Sequence, residues 1–313
     1  MLIALIAAGL VAALISNLFT RWLVPRLEAR GILDIPNQRS SHAAATVRGA
    51  GLAPALTWCV VALTSIVPLH LDAVSSAFAV IGLALGLSMV GFWDDLRSLN
   101  AGIRLTAQVV LCFAVVLLGV RAESLTFPGL PTLQLGLAAI PICAFGLLVT
   151  VNLFNFMDGI DGLAIGQTLV AAFTLLAGAL VVHAFTIAVF AACLAAVAAG
   201  FIPFNWSPAR CFMGDAGSYF CGGTLAALLI IGQRSGIPLL LVGLASAPFL
   251  ADAALTLVIR LAKGNRIWQA HRSHIYQRMV SAGWSHARVA TLYIAVAALA
   301  GALAILYLAR STQ

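Results

Sequence analysis

Ten apolar stretches, each close to the length of a bilayer-spanning helix, leave this chain little room to be a water-soluble protein. They run approximately 2–24, 50–68, 74–92, 105–120, 134–154, 163–182, 184–204, 217–232, 236–260 and 289–309. A spanning helix needs roughly 20 apolar residues. Hydrophobic residues make up 62% of the 313 and charged residues 9%, where a soluble protein carries about 25% charged residues. The expected fold is an all-α integral membrane protein of about ten transmembrane helices, a single polytopic domain over 1–313. The first stretch is too long for the apolar core of a signal peptide and no basic segment precedes it, so it is read as a retained helix.

The net charge of +7 is explained by where the cations lie. Loops 25–49, 93–104, 155–162, 205–216 and 261–288, with their flanking ends, hold 14 of the 17 Lys and Arg. The alternate loops hold three: Arg121, Arg234 and Arg310. Loops rich in Lys and Arg stay cytoplasmic, so both termini are expected outside. The basic excess is a topology signal first and an attraction for anionic lipid and phosphate second; nucleic acid is not an expected partner. The six cysteines show neither disulfide nor zinc spacing. Trp22, Trp58 and Tyr307 lie near stretch ends and are expected to anchor at the membrane interface.

Five of the ten acidic residues, Asp94, Asp95, Asp158, Asp161 and Asp215, fall on the predicted cytoplasmic face, together with His42, His271, His274 and His286. An Asp at the centre of a membrane helix costs ~2.5–3.5 kcal/mol on insertion scales, so five near helix ends need a reason. If the segment around Asp158 and Asp161 is helical, their spacing of three puts both carboxylates on one face. Two carboxylates about 4 Å apart repel by roughly 4 kcal/mol at an effective dielectric of 20, and such a cluster persists by binding protons or a cation. Oxygen ligands without cysteine favour Mg²⁺, with Mn²⁺ the second candidate. A lone Asp would more simply be a solvated helix cap; five on one face favour a metal site. Arg48 sits among small residues suited to phosphate, a pattern that a positive-inside loop also produces. In the last loop, His271 and His274 stand with Arg272 and Arg278, and those cations favour an anion over zinc. Asp252, inside the ninth stretch, is open between a functional role and a helix–helix hydrogen bond.

Five ordered segments carry a resemblance. They are Pro36-Asn37-x-Arg39-Ser40-Ser41-His42; Gly91-Phe92-x-Asp94-Asp95 with Arg104-Leu105-x-x-Gln108; Asn152-x-x-Asn155-Phe156-Met157-Asp158-Gly159-Ile160-Asp161-Gly162; Asn205-x-x-Pro208-Ala209-x-x-Phe212-Met213-Gly214-Asp215-x-Gly217-Ser218; and His271-Arg272-Ser273-His274-x-Tyr276-Gln277-Arg278. Together they resemble the polyprenyl-phosphate N-acetylhexosamine-1-phosphate transferases. The resemblance implies about ten helices around a cytoplasmic-side cleft, and attack by polyprenyl phosphate on the β-phosphorus of a UDP-sugar with release of UMP. By position it implies that Asp94 and Asp95 lie nearest the lipid phosphate, with Arg104 holding that phosphate. Asp215 is then the main Mg²⁺ ligand, with Asn155 and Asp158 as partners of metal or phosphates. Asp161, Asn205 and Phe212 become nucleoside contacts, and His271, Arg272 and His274 diphosphate binders.

The family's first-loop pattern Pro-Thr-Pro-Arg-Gly-Gly-Gly is here Ala45-Thr46-Val47-Arg48-Gly49-Ala50-Gly51, which removes two prolines and one glycine from a loop expected to be rigid. The His-Arg-Ser-His form resembles the O-antigen-initiating subgroup, and so implies N-acetylglucosamine or a 6-deoxy N-acetylhexosamine. Expected partners are therefore a UDP-N-acetylhexosamine, undecaprenyl phosphate, membrane lipid and a second copy of the chain, in a bacterial cytoplasmic (inner) membrane. Two rival enzymes or carriers are weighed. An ion-coupled transporter would place its acids near the midplane between repeated halves. A CDP-alcohol phosphatidyltransferase would need further aspartates soon after Asp161, and none occurs before Asp215. A non-catalytic scaffold would leave the five acids unexplained.

Overall fold

The computed structural model describes residues 2–36, 44–66, 74–126, 131–265 and 272–312. Among these the chain is nearly all helical: α1 (Leu2–Ala29), α2 (Leu52–Ser65), α3 (Val74–Arg97), α4 (Ala101–Leu117), α5 (Ala139–Met157), α6 (Leu163–Val181), α7 (Phe185–Asn205), α8 (Gly214–Arg234), α9 (Leu239–Ala245), α10 (Ala247–Ala262), α11 (Ile275–Ser281) and α12 (His286–Ser311). Two short antiparallel pairs complete it, β1 (Leu33–Asp34) with β2 (Thr46–Val47), and β3 (Ser124–Leu125) with β4 (Leu133–Gln134).

Nine of the ten apolar stretches fall on one helix each, and among the described residues seven helices are long and apolar enough to cross a membrane. α2 and α4 are apolar but shorter. The ninth stretch corrects the expectation of one continuous span. It breaks at Ser246 into α9 and α10, with Pro248 in the first turn of α10, where a missing N–H costs nothing but where a helix cannot run through unbroken. The outward faces are lipid-like: on α12, Leu292, Val296, Leu299, Leu303 and Leu306 form an exposed stripe, an apolar surface too continuous for water.

α8 is the central post, packed against α3, α5 and α6. Small residues permit this. Gly222 lies against Phe154 and the α5 backbone, and Gly223 against Leu87 of α3. On the other side α1 docks on α7, where Ser16 and Asn17 donate to the carbonyls of Val197 and Gly200 at 2.9 and 3.1 Å. Trp58 corrects the anchoring expectation: it is fully buried, its ring edge-on to Phe190 and its Nε1 donating to the Phe190 carbonyl at 3.1 Å. Trp22 and Tyr307 are exposed, as interfacial residues would be.

Candidate active site

One end of the bundle opens into a polar cleft of 520 Å³. Ten of the predicted site residues line it: Arg48, Asp94, Asp95, Arg104, Asn155, Asp158, Asp161, Asn205, Phe212 and Asp215. They arrive from four separate regions of the sequence, and helix ends bring them together.

The last turn of α3 carries Asp94 and Asp95, which point to different tasks. Asp95 is buried and accepts the backbone N–H groups of Asp215 and Ala216 at 3.0 and 3.1 Å. It therefore caps the start of α8, where unpaired N–H groups and the helix dipole favour a carboxylate. Arg48 reaches the same carboxylate at 3.2 Å and the Asp94 carbonyl at 3.2 Å. Both Asp95 oxygens are thus committed to building the cleft. Asp94 takes the Leu99 N–H at 2.5 Å and Arg104 Nη1 at 2.8 Å. Arg104 also lies 3.4 Å from Asp215, so one guanidinium bridges two aspartates. α4 presents it there because Asn100 caps that helix, accepting the Gly102 N–H at 2.7 Å. Asp215 further accepts from Asn155 Nδ2 at 2.6 Å and from the Tyr219 hydroxyl at 3.3 Å.

The departure from the family's first-loop pattern leaves this corner well braced. β2 pairs with β1, Phe212 N–H donates to the Val47 carbonyl at 2.7 Å, and Ala50 N–H donates to the Phe212 carbonyl at 3.2 Å. Gly51 keeps its role, since a Cβ there would collide with Gly217 and the Met213 carbonyl. Backbone pairing supplies what the absent prolines would have, and it sets the half-buried Phe212 ring at the cleft.

Asp158 and Asp161 do not share a helical face. α5 ends at Met157, and the two sit on a turn that closes at Gly162 with φ +75°. Asn205 braces this turn, accepting the Gly162 N–H at 3.2 Å and donating to the Cys211 carbonyl at 3.1 Å. Burial, and then the charges of Asp215, Asp95 and Asp161, push the Asp158 carboxyl well above the usual carboxylate range. Among the described residues nothing donates a hydrogen bond to it. Asp161 is the opposite case. Burial works to raise it, but His286 at 3.3 Å, the Ala209 N–H at 3.1 Å and the Ser207 hydroxyl bring it below the ordinary 3.8.

A folded-state pKa below the unfolded one gives stability that is present above the unfolded value and lost as pH falls through the folded one. His286→Ala removes the first of the lowering partners. Its thermal midpoint in detergent is expected to lie below that of the wild-type protein at neutral pH and to fall less on acidification, so that the two curves draw together as pH drops below the ordinary carboxylate range; superimposable midpoint-versus-pH curves would refute the pairing.

His274 corrects its assignment as a diphosphate binder. Its side chain is buried, 3.4 Å from Asp252, and does not line the cleft. Arg272 is also absent from the cleft lining, and His271 and His42 lie outside the described residues. Asp34, Gln277 and His286 line the cleft without having been singled out. Gln277 stood inside a quoted motif, Asp34 lies two residues before the first of them, and His286 was visible only as a histidine on the acidic face.

The donor set suits a hard divalent cation. Among the described residues six aspartates line the cleft against two arginines, Arg48 and Arg104, and Asp158 feels the like charges of Asp215, Asp95 and Asp161. Among the described residues no three His, Cys, Asp or Glu are already gathered as a metal cage. Mg²⁺ does not require one, since it is commonly held by one or two carboxylates plus substrate phosphates and water.

The model of glycosyl transferase family 4 matches residues 77–233. The chain is 31% identical to the decaprenyl-phosphate N-acetylglucosaminephosphotransferase of Mycobacterium tuberculosis, over 97% of this chain and 83% of that protein. It is 26% identical to a probable undecaprenyl-phosphate N-acetylglucosaminyl 1-phosphate transferase of Bacillus subtilis, over 92% and 81%. It is 31% identical to the phospho-N-acetylmuramoyl-pentapeptide-transferase of Heliobacterium modesticaldum, over 71% and 72%. A cleft of aspartates and arginines at one end of a many-helix membrane bundle, and relatives that are polyprenyl-phosphate sugar-1-phosphate transferases across most of its length, mean that this integral membrane chain belongs to glycosyl transferase family 4.

Proposed function

We propose that this protein transfers an N-acetylhexosamine 1-phosphate from a UDP-sugar to undecaprenyl phosphate, forming the lipid diphosphate sugar and releasing UMP. The observation that carries this reading is the convergence of Asp94, Asp95, Asp158, Asp161 and Asp215 on one cleft with Arg48 and Arg104. This reading takes the chain to cross a bacterial inner membrane ten times, with the cleft on the cytoplasmic face and both termini outside, and the Lys and Arg distribution supports it. The whole chain then acts as one membrane domain. N-acetylglucosamine or a 6-deoxy relative is the proposed sugar, and initiation of O-antigen or a related envelope glycan the proposed use.

Phosphoryl transfer asks chiefly for in-line positioning and neutralisation of oxygen charge. Arg104 bridges Asp94 and Asp215, and in this reading it receives the incoming lipid phosphate. Asp158 and Asp215, with Asn155, are the residues that would hold Mg²⁺. An ion held there would supply neutralisation of charge on the diphosphate oxygens. Asp95 and Asn205 act by fixing the helix start and the turn on which these groups stand.

The test supplies purified protein, undecaprenyl phosphate and a panel of UDP-N-acetylhexosamines, and measures UMP and lipid product. Sugar-dependent UMP release supports the transferase; transport of an intact solute without UMP would support the rival carrier. Phe212 is the proposed stacking partner of uracil. Base–aromatic stacking is worth ~1–3 kcal/mol, so Phe212→Ala is expected to raise the KM for the UDP-sugar by roughly 5- to 150-fold with the lipid KM little changed. Equal effects on both substrates would reject stacking.

A further inference from the structure

The buried carboxylate of Asp252 lies outside the cleft and is used by nothing described so far, yet it ties three helices together. Its Oδ1 accepts the Ile275 N–H at 2.8 Å and the Thr256 hydroxyl at 3.2 Å, and lies 3.4 Å from His274 Nδ1. Its Oδ2 accepts the Tyr276 N–H at 2.9 Å and the Tyr293 hydroxyl of α12 at 2.7 Å. An apolar residue would usually cost a buried site less than a carboxylate does. What this carboxylate does in return is fix the start of α11 against α10 and α12.

The next link leads to the cleft. Tyr276 is fully buried, its ring stacked on His274 at 5.6 Å. Its hydroxyl donates to the Phe156 carbonyl at 3.1 Å and fills the space where a side chain at Gly159 would stand. Phe156 and Gly159 flank Asp158, whose own carboxylate has no hydrogen bond from the described residues to hold it. Its position therefore depends on the backbone beneath it.

We propose that Asp252 is a positioning residue for the transfer reaction: by docking the start of α11 it sets the Tyr276 hydroxyl under the turn that carries Asp158. The role rests on the transferase reading above. It also explains why His274, read from sequence as a phosphate binder, is buried instead, since it belongs to the clamp.

The experiment compares Asp252→Asn, Tyr276→Phe and the double variant in detergent, by steady-state UMP release and by amide hydrogen exchange. Asp252→Asn is expected to raise exchange in 275–278 well above any change in α3 or α8. A displacement of about 1 Å at a reacting group can cost ~10²-fold, so kcat is expected to fall roughly 10- to 100-fold in each single variant, with the donor KM within about 2-fold. The double variant is expected to be no slower than the worse single one, because both act through one link. An Asp252→Asn enzyme with wild-type kcat overturns the proposal, as does a double variant whose losses multiply, or exchange that rises evenly through the bundle. Should Asp252→Asn fail to accumulate, Tyr276→Phe decides alone, and wild-type kcat there overturns the link. A wild-type protein releasing no UMP from any donor would sink the transferase reading instead, while the exchange arm still decides whether Asp252 docks α11.

Discussion

Asp158→Asn is expected to lose roughly 10³-fold in kcat, the scale of removing a group that stabilises transition-state charge, while melting no earlier than the wild-type protein. The combination is unusual because buried polar substitutions commonly destabilise. Here the carboxylate faces Asp215, Asp95 and Asp161 and receives no hydrogen bond from the described residues. A carboxyl raised in the folded state contributes stability only below its unfolded pKa, and that contribution is lost as pH rises through the folded one. Above the unfolded pKa, folding requires this carboxyl either to take up a proton or to keep a charge beside three other aspartates, so it opposes folding, and the neutral amide removes that opposition. The measurement is a thermal midpoint at neutral pH in EDTA beside a UMP-release assay. Added Mg²⁺ gives a second readout, since a ligand that binds only the folded state raises the midpoint: the wild-type midpoint should climb with Mg²⁺ and that of Asp158→Asn should climb less. Full activity, or an equal Mg²⁺ response in both proteins, would remove Asp158 from the metal-binding set.

The same residues show how far sequence carries. Hydropathy marked every long helix because the length of an apolar run is a property of the run itself. It did not show the break at Ser246, since Ser246 and Pro248 cost little average hydropathy yet end one helix and start another. The acids of the cleft were legible because charge within so apolar a chain is costly wherever it falls. Which acid does what was not legible. Asp94 and Asp95 are adjacent and chemically identical, but a 100° step around the helix sends one to Arg104 and the other to the start of α8. His274 and Asp252 are 22 positions apart in sequence, and only the folding of α11 between α10 and α12 reveals them as one cluster. Trp58 was misplaced because it stands in the middle of the stretch 50–68, on a side that faces Phe190 inside the bundle instead of an interface.

Gly91→Ala is expected to cost ~1–3 kcal/mol in stability and roughly 10²-fold in turnover, from the addition of a single methyl group. Gly91 lies on α3 one turn before Asp95, and a Cβ there would fall on the Asp215 carbonyl and the Ala216 nitrogen, closer than real Cβ atoms approach. Backbone, unlike a side-chain tip, cannot swing aside, so α8 must retreat from α3. The retreat separates Asp95 from the N–H groups of Asp215 and Ala216, which it holds at 3.0 and 3.1 Å, and it carries the Asp215 side chain away from Asn155 and Arg104. Gly82→Ala is the control. It adds the same methyl to the same helix at a point where nothing lies within 4 Å, and it should leave both midpoint and UMP release near wild type or slightly raise the midpoint. If the two variants behave alike, close approach of α3 and α8 is not what assembles the cleft. If only Gly91→Ala fails, the cleft depends on a glycine that bears no chemistry, because the distance between two helix backbones decides whether Asp95 can cap α8 and Asp215 can face its partners.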